Sequence, residues 1–231
     1  MTIRSRVLEA LGTVYDPELD EPITSLRFVT SCDVSADGDV DVRLRLPTPQ
    51  CAPNFAYLMA ADARNAVRRL PEVRDVSVLL EDHYTGDEIN AAVGRDAGFA
   101  QAFPGETEGE LDALRELFRR KALVARQSRV CEALLAGGAT PEEITARRVS
   151  DLPDEPESRR CIELREQLGI PGDGDAPAFV RPDGQPVAAA DLRHWLRRAS
   201  LMRTSLEVNG GICRSLLRIR YDLPDPKEVA A

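Results

Sequence analysis

No apolar run in this 231-residue chain approaches the roughly 18 residues needed to cross a bilayer, so a membrane-spanning helix is not expected. A secretory signal is not expected either, because MTIRSRVLEAL is interrupted by Arg4, Arg6 and Glu9 before an apolar core can form. Cytoplasmic residence follows as the expectation. Five cysteines stand at positions 32, 51, 131, 161 and 213, an odd number with no CxxC pair. That pattern argues against a secreted disulfide framework and against a self-contained zinc knot. Positive charge is in deficit: 30 basic residues face 39 acidic ones, for a net charge of −9. Such a surface repels phosphate backbones, and nucleic acid is not an expected partner. Arg193, Arg197, Arg198 and Arg203 make the one basic cluster, which reads as the solvated side of a helix. Internal repeats and low-complexity tracts are absent.

What is present is a globular balance, 43% hydrophobic and 30% charged, able to bury a core. Residues 1–93 hold 16 acidic residues against 9 basic, and the remainder is close to balanced. A Gly- and Ala-rich stretch, 94–109, with Pro104 and Gly105 near its end, reads as a linker between domains.

Within residues 1–93 the hydrophobic periods are plain. Ile3, Val7, Leu8, Leu11, Val14 and Tyr15 recur at helical spacing, and Pro17 ends the pattern. From Leu26 the period becomes two. Leu26, Phe28, Cys32 and Val34 share a face, then Asp37-Gly38 turns the chain, and Val40, Val42, Leu44 and Leu46 continue the face. Pro53 suits a first helical position, followed by the stripe Phe55, Leu58, Met59, Ala63, Ala66, Val67 and Leu70. Val76, Val78 and Leu80 give a third strand. The predicted order is α-β-β-α-β, a two-layer α/β (α+β) sandwich whose helical crossover sets the third strand parallel to a hairpin strand.

Residues 110–231 predict a mostly helical domain. Helical patterns cover Leu111 to Leu135, a start at Thr140-Pro141, Arg159 to Leu168 with Gly169 at its end, and Ala190 to Leu206. A short β-hairpin about Asp183-Gly184 lies between the last two, and Asn209-Gly210-Gly211 is expected to break the chain. Trp195 is the expected core anchor, and Cys131, Cys161 and Cys213 read as packing residues.

One loop carries candidate chemistry. Leu46-Pro-Thr-Pro-Gln-Cys51-Ala-Pro53 joins the second strand to the second helix, where unpaired amides favour negative charge and would lower a thiol pKa. Cys51 is therefore a candidate metal ligand or nucleophile, with Thr48 able to hydrogen-bond within the loop. Asp16 and Glu18 either cap and turn the chain or line the Cys51 pocket. His83, just past the third strand, is either a surface residue or a base paired with Cys51.

Tyr15-Asp-Pro-Glu-Leu after a first helix, then a hairpin, then Thr48-Pro-Gln-Cys51 opening a helix resemble the metal–sulfur cluster biosynthesis family that includes the PaaD and SufT proteins. Asp82-His83-Tyr84-Thr85 occupies the place of that family's aromatic- and Thr-containing segment after the third strand. The resemblance spans residues 1–93. It implies a maturation factor that assembles, carries or delivers iron–sulfur clusters to a client apo-metalloenzyme, with Cys51 as the reactive cysteine and Asp16 and Glu18 as the acidic positions near it.

A four-iron cluster takes four thiolates, and this loop supplies one. A transient iron–sulfur cluster on Cys51 therefore needs a second protomer, a client, a small thiol or another cysteine of this chain. Cys32, by its alternation with Phe28 and Val34, is expected in the core, though it is the other cysteine of the domain. Two rivals stand beside the carrier. One is a dedicated chaperone for a multicomponent, di-iron-type oxygenase that binds no cluster itself. The other, weaker, is a Cys51/His83 acyl-transfer enzyme, which lacks a recognisable orienting residue or oxyanion loop.

Overall fold

The computed structural model describes residues 2–105, 107 and 111–224. The chain divides into two compact units, one taking Met1–Asp112 and Val208–Ala231, the other Ala113–Glu207.

The first unit opens with α1 (Ile3–Leu11), whose start is fixed by the Thr2 side chain accepting the Ser5 amide. Val7 and Leu11 are its buried residues. A two-residue ladder follows, β1 (Tyr15–Asp16) antiparallel to β2 (Glu21–Pro22). β3 (Val29–Val34) and β4 (Asp39–Arg45) form the expected antiparallel hairpin, with Cys32 opposite Val42. Gly38 turns it at φ +86°, a conformation that L side chains avoid. A Cβ there would also lie 2.7 Å from the Glu72 carbonyl oxygen. After α2 (Pro53–Arg68), β5 (Asp75–Glu81) pairs parallel with β4, from Asp39–Asp75 to Arg45–Glu81. The sheet order is β3-β4-β5.

The alternation drives the packing. Val40, Val42 and Leu44, with Val76, Val78 and Leu80, turn inward to meet Met59, Ala63 and Val67 of α2. Each large aliphatic side chain so buried is worth about 1.5–3 kcal/mol relative to exposure. Cys32 is 2% exposed within this core, as the alternation predicts. α3 (Gly86–Gly94) and the single turn α4 (Phe99–Ala102) follow. Phe99 and Phe103 are buried in the same core, and Tyr57 meets Phe99 edge-on at 5.5 Å. The stretch expected as a linker thus contributes to the first unit's packing.

The second unit is helical: most of α5 (Asp112–Ala136), α6 (Pro141–Ala146), a 3-10 turn (Val149–Asp151), α7 (Pro156–Leu168) and part of α8 (Ala189–Arg220). Thr140 and Glu143 close a reciprocal capping box at the start of α6, and Gly169 ends α7 in the left-handed conformation. Trp195 packs with Val124, Ile144 and Phe179, as an anchor should. The hairpin about Gly184 is reduced to one bridge, Val180–Pro186. Prolines 182 and 186 withhold donors there, and Gln127 takes both main-chain groups of Val180, at 2.7 and 3.1 Å.

The expected break at Asn209-Gly210-Gly211 does not occur, and α8 runs through it. A Cβ at Gly210 would meet Glu21 Oε1 at 2.7 Å, so this glycine serves close approach of the helix to the β1–β2 corner. Leu217, two turns on, is 2% exposed in the first unit's core. Among the described residues, no helix is long and apolar enough to cross a membrane.

Candidate functional site

The β4–α2 loop is held from below by the segment after β5. Pro47 is buried, and the Pro49 carbonyl accepts the Tyr84 amide at 3.1 Å. The Thr48 carbonyl accepts the Cys51 amide at 3.4 Å. His83 Nδ1 lies 3.3 Å from the Thr85 amide, which can only donate, so Nδ1 is the acceptor. The proton then sits on Nε2, which donates to the Cys51 carbonyl at 2.7 Å. His83 thus binds the backbone of Cys51 and not its sulfur. The nucleophile–base couple weighed from the sequence is not formed here.

Cys51 itself is half-buried, and the Ala52 amide donates toward its sulfur. That amide favours a thiolate, as the helix N-terminus argument expects. It is outweighed. Burial pushes the Cys51 thiol up to about 12, helped by electrostatic repulsion from Asp16, Cys213 and Glu18 as the thiol ionises. The sulfur is a protonated thiol at neutral pH, which corrects the expectation of a lowered pKa.

Asp16 is 6% exposed, and both of its hydrogen bonds converge on Oδ1, from the amides of Glu18 at 2.8 Å and Leu19 at 3.0 Å. They close the turn between β1 and β2, so Asp16 does turn the chain. After burial, its carboxylate is the first cause of the raised Cys51 thiol pKa. Burial raises its pKa to about 7 against those two amides, with Glu18 and Glu21 adding repulsion. Glu18 acts on the same thiol from a half-buried position. Cys32, at the core, has its own thiol pKa raised chiefly by burial.

Cys213, read from the sequence as a packing residue, does pack against the core. It is half-buried against the same core cluster as Cys51. Burial, then Asp16 and Glu18, push the Cys213 thiol up to about 11, with Arg214 opposing. The usable signal was the face shared by Gly210, Cys213 and Leu217 at helical spacing, opposite Val208, Ile212, Leu216 and Ile219. The first set lies inward, while the second is exposed. The turns are anchored by Arg214 pairing with Glu21, by Arg220 and Tyr221 hydrogen-bonding Asp82, and by Arg45 over the Tyr221 ring at 4.4 Å. Among the described residues, no group of three or more His, Cys, Asp and Glu side chains is placed to hold a metal ion.

The unit is a small α/β fold with a half-buried cysteine at a strand-to-helix loop. Residues 4–80 match the family model described as iron–sulfur cluster assembly protein. The chain is 33% identical over 90 residues to an uncharacterised protein of Methanocaldococcus jannaschii, covering 39% of this chain and 93% of that one. An Fe–S protein maturation auxiliary factor of Porphyromonas gingivalis is 30% identical over 95 residues, 40% of this chain and 89% of that factor. An iron–sulfur cluster carrier protein of Deinococcus radiodurans is 38% identical over 73 residues, 31% of this chain but a fifth (20%) of the carrier's length. The chain belongs, through its N-terminal region, to the iron–sulfur cluster assembly protein family.

Proposed function

We propose that this chain is an iron–sulfur maturation factor that takes iron or a cluster as cargo on Cys51 and passes it to a client apo-metalloenzyme. Support comes from family membership together with the position of Cys51, immediately before the N-cap of α2 and within electrostatic reach of Asp16 and Glu18. The relatives' printed names, carrier and maturation factor, point to transfer and not to turnover of a small substrate. His83 and Thr48 act on the loop backbone, holding Cys51 in place, and Cys32 has no part in the site. Soft thiol ligands suit iron and its sulfide clusters, and loading must release the thiol proton, so it strengthens as pH rises. Work on such cargo fits the cytoplasm, where the five free thiols stay reduced.

Reconstitution with iron and sulfide under anaerobic conditions, followed by absorption spectra, tests this. The wild type is expected to take up coloured cluster or iron, and Cys51→Ala to stay colourless. Two colourless samples would leave a cluster-free chaperone as the better account, to be sought by co-purification with the client.

A further inference from the structure

The part of α8 that belongs to the first unit packs Leu217 into the core, and its opposite side is apolar as well. Val208, Ile212, Leu216 and Ile219 stand four, four and three residues apart, so they line one side of the helix. Their exposure runs from 41% (Leu216) to 73% (Ile219). At the helical rise the stripe is about 16 Å long, three turns of helix. One exposed aliphatic side chain is ordinary, whereas a continuous stripe marks an interaction surface.

Next to the stripe lies a cavity of about 360 Å³. Arg214, Ser215 and Arg218, on the flank of α8 adjoining the stripe, line it together with Ser25 and Arg27 from the turn before β3. Among the described residues, no Asp or Glu is part of that lining. Glu21 pairs with Arg214. Arg27 instead donates to a neutral group, the Pro224 carbonyl, at 3.1 Å. Its backbone holds φ +60°, where Gly or Asn is the easier residue, so the turn places a guanidinium here against local preference. This positive concentration stands out in a region where residues 1–93 hold 16 acids against 9 bases.

We propose that the stripe and the cavity form one docking surface for an acidic amphipathic helix of a partner protein. The partner's apolar side lies along Val208, Ile212, Leu216 and Ile219, and its carboxylates meet the arginines of the cavity. Charge complementarity selects this occupant. A second copy of α8 would set arginines against arginines, and a small anion would fill the cavity and leave the stripe bare. The surface goes beyond the carrier reading, because its α8 residues lie outside the family match at 4–80 and it requires no metal.

The probe is a fluorescein-labelled synthetic peptide with leucines at helical spacing and glutamates on both flanks, titrated with the full chain and read by fluorescence anisotropy. Saturable binding is expected, weakening as salt is raised. Ile212→Glu should raise Kd by at least about tenfold, and Arg27→Glu several-fold with a flatter salt dependence. Leu117→Glu, at an exposed leucine of the second unit, should bind like the wild type. Unchanged thermal melts show that the variants fold. Absence of binding, or equal binding of a peptide with lysine in place of glutamate, would overturn the acidic partner. So would displacement by inorganic phosphate combined with indifference to Ile212→Glu, which marks a small-anion site. Light scattering that finds a wild-type dimer dissociated by Ile212→Glu would give the surface to a second copy and overturn the proposal. None of these measurements involves iron, so their failure leaves the carrier reading standing, and a colourless reconstitution leaves this surface standing.

Discussion

The two units differ in how their most buried charged side chains are held. In the second, Arg165 is 1% exposed, yet its guanidinium donates to three carbonyls, those of Pro171 (2.9 Å), Pro177 (2.8 Å) and Ala178 (2.6 Å). Gln127, also buried, is matched on both ends by Val180. These groups are spent on holding the backbone of a region poor in regular ladder. In the first unit, by contrast, burial raises the pKa of Asp16, Cys51 and Cys213 alike. Burial with complete hydrogen bonding marks a structural group.

The largest expected effect lies in the structural set. Arg165→Met strands three carbonyls, each costing about 1–3 kcal/mol, so the second unit should lose on the order of 5 kcal/mol. Urea unfolding followed by the fluorescence of Trp195, the sole tryptophan, reads this unit. A loss under about 1 kcal/mol would break the contrast drawn above.

Next comes pH. In the metal-free protein, folded Asp16 keeps a proton up to pH about 7, whereas the unfolded chain releases it in the usual carboxylate range. Stability from this group is therefore full in acid and declines as pH rises through about 7, by on the order of 4 kcal/mol in all. Asp16→Asn should remove that decline and stabilise the first unit most at pH 8. Tyrosine fluorescence reports it, since residues 15, 57, 84 and 221 all lie in that unit. Glu132 in the second unit has the reverse sign. Its hydrogen bond from Arg203 holds its carboxyl below the usual range, so its contribution is lost as pH falls through that lowered value. Parallel pH profiles for the two units would contradict both assignments.

The smallest effects compare two glycines of the first unit. Gly38→Ala forces a positive φ and pushes a methyl into the rigid Glu72 carbonyl, for about 2 kcal/mol of destabilisation. Gly210→Ala meets only the far end of the Glu21 side chain. Better helix propensity, about 1 kcal/mol, offsets the disturbed Glu21–Arg214 pair and leaves stability nearly unchanged. Thermal melts of the two variants separate these outcomes.

Much of the first unit was legible because its signals are local. Alternation at Val40, Val42 and Leu44 names a strand and its face, and Pro53 names a helix start. Cys32 fell on the core side by the same rule. The site was legible only in part. A helix N-terminus predicts a lowered thiol pKa, and the Ala52 amide does act that way. The burial and acids that prevail come from residues distant in the chain, which a loop's own sequence cannot weigh. Asn209-Gly210-Gly211 misled for a related reason. Two adjacent glycines usually end a helix, but the need for close approach to Glu21 is a tertiary fact, and with it went the placement of Cys213.

The first unit is woven from two stretches of chain separated by Ala113–Glu207. On the ribosome, Cys51 therefore emerges and can be enclosed by β3, β4 and β5 long before Cys213 exists. The socket that Leu217 fills stays open to water until the whole intervening unit has been synthesised.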